Sequence, residues 1–228
     1  CSTSNTWSSL QCQYGNVLRI GANNALNTAS KMSLGNGEPG NGQLDLYGYN
    51  QTLGGLFEYG NAASKPNNII TNSRPSSAST LTISQASGVV DYFSGRLLGS
   101  LGLVKAGAAN SVLTLAGVNT FTGDAGLAGG ALIVSNQFAL QYSTLNFTNA
   151  SGALRFGAGL TAFTFGGLAG TVGFGLTNTL GQAVALAVGN NGASTVYSGA
   201  LSAAGSLIKI GTGTLTLSGV NTFTGSAV

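Results

Sequence analysis

The chain has no histidine and very few charged residues. Lys, Arg, Asp and Glu make up 6% of its 228 residues, and the formal net charge is only +3. Ser-His-Asp and Cys-His catalytic arrangements both need histidine, so this sequence excludes them. Its basic residues are scattered and form no basic stripe, so we expect no nucleic-acid partner.

Patterns typical of metal and cofactor sites are also missing. Two cysteines and five acidic residues show no spacing typical of a zinc or calcium site. A carbohydrate-active β-helix would need two carboxylates on one face, and nothing in the sequence brings Asp45 and Asp91 together. We expect both to be solvated. The sequence therefore predicts no catalytic residue, no metal and no cofactor.

Cysteine occurs only at Cys1 and Cys12. In an extracellular protein these two residues would close a short disulfide loop. Two unpaired thiols near the start of the chain are the alternative, and the sequence does not decide between them.

Glycine, by contrast, is abundant, with 37 residues, and 43% of the chain is hydrophobic. Such hydrophobicity at low net charge excludes intrinsic disorder, and glycine without a three-residue period excludes collagen. Gly, Ser, Thr and Asn are poor residues for helix interiors, which argues against a helical bundle. The composition predicts an all-β protein with a polar, mostly uncharged outer face.

Two segments of the sequence are almost identical. Residues 113–123 read LTLAGVNTFTG, and residues 215–225 read LTLSGVNTFTG. Weaker matches extend this similarity into two modules, at 16–123 and 131–225, preceded by an N-terminal segment of unknown role at 1–15. The repeat-motif residues to which we assign a structural role are Leu113, Leu115, Asn119, Phe121, Gly123, Leu215, Leu217, Asn221, Phe223 and Gly225.

Apolar residues alternate with threonine or small residues inside each module, as Leu113 and Leu115 do. This period of two predicts short strands, and Gly, Asn and Ser clusters separate them. The spacing fits a sandwich, a barrel or a solenoid, but a long sequence repeat with few Asn-Gly turns favours the solenoid.

The run from Ile210 to Gly225 closely resembles the autotransporter-associated β-strand repeat of bacterial type V secretion passenger domains. The copy that ends at Gly123 matches as well, and residues 44–56 are similar to the companion segment of such proteins. The resemblance implies one continuous right-handed parallel β-helix, exposed outside the cell, whose repeat assists folding during export. Because the chain stops just after the motif, we expect a piece of a longer protein, with an outer-membrane translocator on the missing part.

A coil of about 20 residues would give about 11 coils and a rod about 50 Å long. Asn119 and Asn221 occupy the same module position, where we expect their amides to bond along the stack. Phe121 and Phe223 are expected in the core or at its rim. Neutral Thr and Ser suit the outside because stacked like charges would repel.

Residues 57–80 depart from the repeat and carry two prolines. We expect a loop excursion from the rod there, because proline is poorly tolerated within a ladder. Tyr59, Lys65 and Arg74 are candidate recognition residues, since loops on rigid scaffolds often bind ligands. A plain solvated loop is the alternative.

Taken together, these features favour a non-catalytic surface or fibre protein that acts as a scaffold or adhesin. Its expected partners are a host-cell or surface ligand, or further copies of the chain joined end to end. The alternatives are a carbohydrate-binding or carbohydrate-active β-helix, or a self-assembling extracellular filament subunit.

Overall fold

The described part of the protein consists of short strands and the turns between them, wound into a solenoid. The computed structural model describes residues 9–35, 41–58, 65–147 and 151–228. Within these ranges there are 23 strands, one 3₁₀ helix at Lys65–Asn67 and no α-helix. The strands pair in parallel, each with a strand of a neighbouring turn. The all-β class and the parallel β-solenoid predicted from the sequence are thus confirmed.

The strands fall into five sheets. The three-stranded sheet contains β1 (Ser9–Cys12), β3 (Lys31–Leu34) and β6 (Gly55–Glu58). One four-stranded sheet contains β2 (Val17–Arg19), β4 (Gln43–Asp45), β7 (Ile69–Asn72) and β10 (Arg96–Gly99). The other contains β9 (Val90–Phe93), β12 (Val112–Leu115), β14 (Gly130–Val134) and β16 (Gly152–Phe156).

The largest sheet has ten strands and extends through both halves of the chain. It contains β5 (Gln51–Leu53), β8 (Ser79–Gln85), β11 (Leu101–Gly107), β13 (Ala125–Leu127), β15 (Leu140–Phe147), β17 (Ala162–Gly170), β19 (Ala185–Val188), β20 (Thr195–Tyr197), β22 (Ser206–Lys209) and β23 (Leu215–Leu217). A two-stranded sheet pairs β18 (Phe174–Gly175) with β21 (Leu201–Ser202).

The solenoid has about 9 coils, whereas the sequence analysis expected about 11. The expectation was wrong because it assumed one coil length of about 20 residues. The register advances by 19 residues where Val112 pairs with Ala131, but by 30 where Gln51 pairs with Leu81. Longer turns between the strands of the early coils account for the difference.

Aliphatic side chains stack inside the coils in rows that run along the solenoid. One row crosses five strands of the largest sheet, through Leu81, Leu103, Ala125, Leu145 and Leu168. All five residues are buried. Because successive residues of a strand point to opposite faces, the period-two pattern of the sequence places these residues inward and the threonines outward.

Aromatic side chains fill the core in the second half of the chain. The Phe156 and Phe163 ring centroids lie 4.7 Å apart, and those of Phe174 and Tyr197 lie 6.0 Å apart. The Tyr197 hydroxyl donates a hydrogen bond to the Val172 carbonyl at 2.6 Å. Burial raises the pKa of this tyrosine well above its usual range. The polar end of the ring is therefore satisfied inside the core.

Close contact between coils requires glycine at Gly117. A Cβ atom built there would overlap the carbonyl oxygen of Gly95 on the preceding coil. Its repeat equivalent, Gly219, faces the carbonyl of Gly199 in the same way. The glycine of the LTL-x-G motif is therefore explained by packing between neighbouring backbones.

The expected loop excursion at 57–80 is only partly correct. Ile69–Asn72 forms β7, which pairs with β4 on one side and β10 on the other, and the Ile70 side chain is buried in the core. Both prolines lie outside this strand, at Pro66 in the 3₁₀ helix and at Pro75 in the turn that follows β7. The departure from the repeat therefore reflects longer turns around a regular strand.

Candidate functional site

The first copy of the repeat motif lies inside the solenoid. Leu113 and Leu115 are wholly buried in β12, which is covered on one side by β9 and on the other by β14. Phe121 is also wholly buried, so of the two expected positions it occupies the core.

The second copy lies on the last coil and is less covered. β23 pairs with β20 only, so one of its sides lacks a neighbouring strand in the described part of the chain. The equivalent side chains pack against the core but remain partly exposed; they are Leu215, Leu217 and Phe223.

The asparagines of the two copies make the same interaction with the preceding coil. Asn119 Oδ1 accepts a hydrogen bond from the Leu97 amide at 2.9 Å, and Asn221 Oδ1 accepts one from the Leu201 amide at 2.8 Å. Asn119 Nδ2 also donates to the Ala139 carbonyl, at 2.9 Å. The expected amide-to-amide stacking is wrong, because these amides bond to the backbone of neighbouring coils.

Gly123 and Gly225 are also held by the preceding coil. The Gly123 amide donates to the Leu101 carbonyl at 2.9 Å, and the Gly225 amide donates to the Gly205 carbonyl at 3.0 Å. A Cβ atom at either position would collide with the backbone of that coil. The motif residues thus all serve contacts within or between coils.

The possible disulfide remains a prediction, because Cys1 lies outside the described residues. Cys12 is buried, and its thiol donates hydrogen bonds to the carbonyls of Asn16 at 3.0 Å and Gln43 at 3.3 Å.

Two of the three candidate recognition residues lie in the described chain, on different elements, and a shared recognition site stays a prediction. Tyr59 lies outside the described residues. Lys65 begins the 3₁₀ helix, whereas Arg74 follows β7 and its guanidinium lies 5.8 Å from the ring centroid of Tyr47. Arg74 therefore meets an aromatic residue that the sequence analysis did not single out.

Asp45 is buried, contrary to our expectation of a solvated side chain. Its carboxylate accepts hydrogen bonds from Arg19 Nε at 2.8 Å, Ser73 Oγ at 2.7 Å, and the amides of Ser73 and Tyr47 at 3.1 Å. Burial on its own would raise the pKa of this carboxyl. The hydrogen bonds outweigh burial, and the pKa lies below its usual range.

Asp91 is also buried rather than solvated. It opposes Leu113 across the ladder, and so occupies an inward position that the neighbouring strand fills with leucine. Its carboxylate accepts the Leu56 amide at 2.9 Å and Gln85 Nε2 at 2.8 Å, and pairs with Lys31 Nζ at 3.6 Å. Every one of these partners is a hydrogen-bond donor or a cation, as a buried carboxylate requires.

Glu58 shows the same arrangement at the end of β6. It opposes Leu34 in the ladder, and its carboxylate accepts hydrogen bonds from the amides of Ser94 and Gly95 and from the Ser94 hydroxyl. Asn68 Nδ2 lies 3.4 Å away. The donors come from residues that are far apart in sequence, so this acid joins separate coils.

Lys105 is the least expected charged residue of the core, because its side chain is wholly buried. In the ladder it lies between Ile83 and Leu127. Its ammonium donates to the Ala106 carbonyl at 2.6 Å, to Ser111 Oγ at 2.8 Å and to the Gly129 carbonyl at 3.2 Å. Burial lowers its pKa to about 8, although the charge of Asp91 acts in the opposite direction.

The two acids considered for a carbohydrate-active site have separate surroundings. Asp45 and Asp91 bond to different residues, and neither shares a hydrogen-bond partner with the other in the described ranges. The same ranges contain no group of three or more metal-ligating side chains and no helix long and apolar enough to cross a membrane. Each buried charge instead links neighbouring coils.

Comparison with known proteins identifies the repeat. The family model of the passenger-associated-transport-repeat matches residues 103–134 and 207–228. No curated protein and no solved structure matches the chain. The first matched region contains β12 and the LTLAGVNTFTG segment, and the second contains β23 and LTLSGVNTFTG. The resemblance inferred from the motif is confirmed: the chain carries two copies of a passenger-associated repeat, built into a parallel β-solenoid.

Proposed function

We propose that this chain is part of a non-catalytic passenger rod that is exposed outside a bacterial cell and presents ligand-binding surfaces. The observation that carries the proposal is the agreement between the two passenger-associated repeats and their structural role. In both copies the motif residues pack between coils or bond to the preceding coil. Residues used in this way build a scaffold, and a rigid scaffold is what displayed binding surfaces need.

The buried acids support a non-catalytic function. The carboxylate oxygens of these acids accept hydrogen bonds from backbone and side-chain donors of other coils; the acids are Asp45, Glu58 and Asp91. A general acid or base must reach substrate, whereas these side chains are at most 8% exposed. These carboxylates therefore connect neighbouring coils through hydrogen bonds inside the protein.

Adhesion of coated beads tests the proposal. Beads that carry the purified chain should bind to epithelial cells several-fold more than beads coated with the heat-unfolded chain. In parallel, the chain should show no turnover on a panel of glycosidic substrates. Turnover that Asp91→Asn abolishes but Asp124→Asn, at an exposed acid, does not abolish would overturn the non-catalytic proposal. Absence of adhesion to every surface tested would overturn the adhesin part.

End-to-end association is a second candidate function, and the last coil provides a specific observation for it. Leu215 and Leu217 are partly exposed, whereas their first-copy equivalents Leu113 and Leu115 are buried in β12, which pairs with β14. A second copy of the chain stacked on the last coil would bury Leu215 and Leu217 as well. Sedimentation should then show assembly that grows with concentration. A monomer at all concentrations would exclude this candidate.

A further inference from the structure

Three successive turns are stacked at one corner of the solenoid, next to the sheet of β2, β4 and β7. Arg19 opposes Asp45 in the ladder, and Asp45 opposes Thr71. Beyond these strands the chain turns at 20–24, 46–50 and 73–78. The turns are joined by backbone hydrogen bonds, such as the one from Ile20 N to the Asp45 carbonyl at 3.0 Å. We call this surface the donor corner; its residues are Arg19, Asn23, Asn24, Tyr47, Asn50 and Arg74.

Two arginines share one aromatic ring at this corner. The guanidinium carbon of Arg19 lies 4.2 Å from the ring centroid of Tyr47, and that of Arg74 lies 5.8 Å from it. Arg19 also bonds to Asp45 through Nε, whereas the Arg74 guanidinium has no hydrogen-bond acceptor among the described residues. The ring attracts both cations and keeps them close together. Because the Asp45 carboxylate pairs with Arg19, the charge at this corner that no ion pair within the described ranges compensates is that of Arg74.

The backbone of Tyr47 is strained in a way that holds the ring at the surface. Its φ is 44°, in the left-handed region that residues other than glycine seldom adopt. Asp45 Oδ1 accepts the Tyr47 amide at 3.1 Å, and Asn72 Oδ1 accepts the next amide, that of Gly48, at 2.9 Å. The residue remains 38% exposed. Strain that is maintained by buried hydrogen bonds is typical of functional surfaces.

The asparagines of the corner each present a free amide donor group to the solvent. Asn23 Oδ1 accepts the Asn50 amide, Asn24 Oδ1 accepts the Thr52 amide, and Asn50 Oδ1 accepts the Thr80 amide, each at 2.8 Å. Because the partner is a backbone N–H in each case, the orientation of the side-chain amide is fixed. All three asparagines are exposed, and none of their Nδ2 groups has an acceptor in the described part of the chain.

A surface that offers two guanidinium groups and three free amide donors suits a ligand rich in oxygen acceptors. The guanidinium groups match a carboxylate or sulfate, and the amides match neutral hydroxyl and ring oxygens. A nucleic acid would need a longer run of cations than the two found here. A sugar chain that carries acidic groups combines both kinds of acceptor.

We propose that the donor corner binds an acidic oligosaccharide, with a carboxylate or sulfate held by Arg74 and Arg19 and neighbouring sugar oxygens held by the asparagine amides. The inference deepens the proposed surface function and rests on it for its biological setting. Binding itself is a property of the isolated chain, and it can be measured apart from adhesion to cells.

Isothermal titration calorimetry in buffer of physiological ionic strength tests the proposal. The probes are an oligogalacturonate for the carboxylate arm, a heparin-derived octasaccharide for the sulfate arm, maltooctaose as the neutral sugar, and a short DNA duplex. At least one acidic sugar should bind, while maltooctaose and the duplex should not bind detectably. Arg74→Gln should weaken that binding about tenfold, because it removes one charge-assisted contact.

Arg155→Gln is the matched control, since Arg155 is an exposed arginine on β16 and the charge change is the same. It should leave the affinity within about twofold of the original value. Equal weakening by the two variants, or equal binding of the duplex, would show attraction to net charge alone and overturn the proposal. Failure of both acidic sugars to bind would also overturn it. If the acidic sugars fail to bind but the coated beads still adhere to cells, the donor-corner proposal is wrong and the proposed surface function is retained.

Discussion

Asn119 Oδ1 lies 2.9 Å from the amide nitrogen of Leu97, one coil earlier, and accepts its hydrogen bond inside the protein. The Leu97 side chain is wholly buried, and Asn119 is 2% exposed. The same amide group donates to Ala139 on the following coil. One asparagine of the repeat motif thus connects three successive coils, where backbone groups would otherwise be left without partners.

Asn119→Ala should therefore destabilise the protein strongly. It leaves the Leu97 amide and the Ala139 carbonyl buried without their partner, which we expect to lower the free energy of unfolding by about 2–3 kcal/mol. Urea unfolding followed by circular dichroism measures this loss. Asn221→Ala is the matched control, because Asn221 has the same motif position but is partly exposed on the last coil. Asn221→Ala should lower the free energy of unfolding by about 1 kcal/mol or less. Equal losses would contradict the three-coil connection.

The buried ammonium of Lys105 should make stability depend on pH. Its pKa is about 8 in the folded protein, compared with 10.5 for an ordinary lysine, so between these values the unfolded chain binds more protons. Stability therefore rises with pH across this window. From about pH 7.5 to about pH 9.5 the contribution of Lys105 should increase by about 2 kcal/mol.

The control for this prediction is Lys105→Met, which keeps an unbranched side chain one atom shorter and removes the titrating group. The difference in unfolding free energy between the original protein and the variant isolates Lys105 from the other ionisable groups. A difference that stays constant over the window would show that the lysine titrates normally in the folded state.

Replacing Gly117 by alanine should disrupt the contact between coils. The added Cβ would overlap the Gly95 carbonyl, and because the atoms it meets are backbone atoms of Ser94 and Gly95, there is little room for adjustment. We expect a loss of about 2–3 kcal/mol, in the range of overpacked cores. Gly21→Ala is a suitable comparison because Gly21 is exposed and nothing lies within 4 Å of its Cβ position. That variant should be neutral or more stable by up to about 1 kcal/mol, measured as a shift in thermal unfolding. A stable Gly117→Ala protein would mean that the coils can separate locally.

Local patterns in the sequence are sufficient for the fold class. Alternation such as Leu113-Thr114-Leu115 predicts a strand, and these residues form β12, although Thr114 is buried as well as the two leucines. The repeat motif predicts stacking of equivalent segments, and the structure pairs all its sheets in parallel. These features need only neighbours in the chain, so they can be predicted before the packing is known.

The number of turns and the place of the charged residues could not be obtained in this way. Coil length varies because the turns differ in length. The sequence pattern does not show at which residue a turn ends and the next paired strand begins. Asp91 illustrates the consequence: its hydrogen-bond donors include the Leu56 amide, 35 positions earlier. A carboxylate in a polar stretch is expected to be solvated unless such distant donors are known to converge on it.

The sequence by itself determined that the chain forms short strands with one apolar face, arranged as two copies of a passenger-type repeat, because alternation and repetition act within single segments. Only the tertiary structure decided which side chains meet across coils. The register brings Arg19, Tyr47 and Arg74 together from three successive coils. It also encloses Lys105 between Ile83 and Leu127. The physical reason is that register follows from the lengths of all the intervening turns, which no single segment specifies.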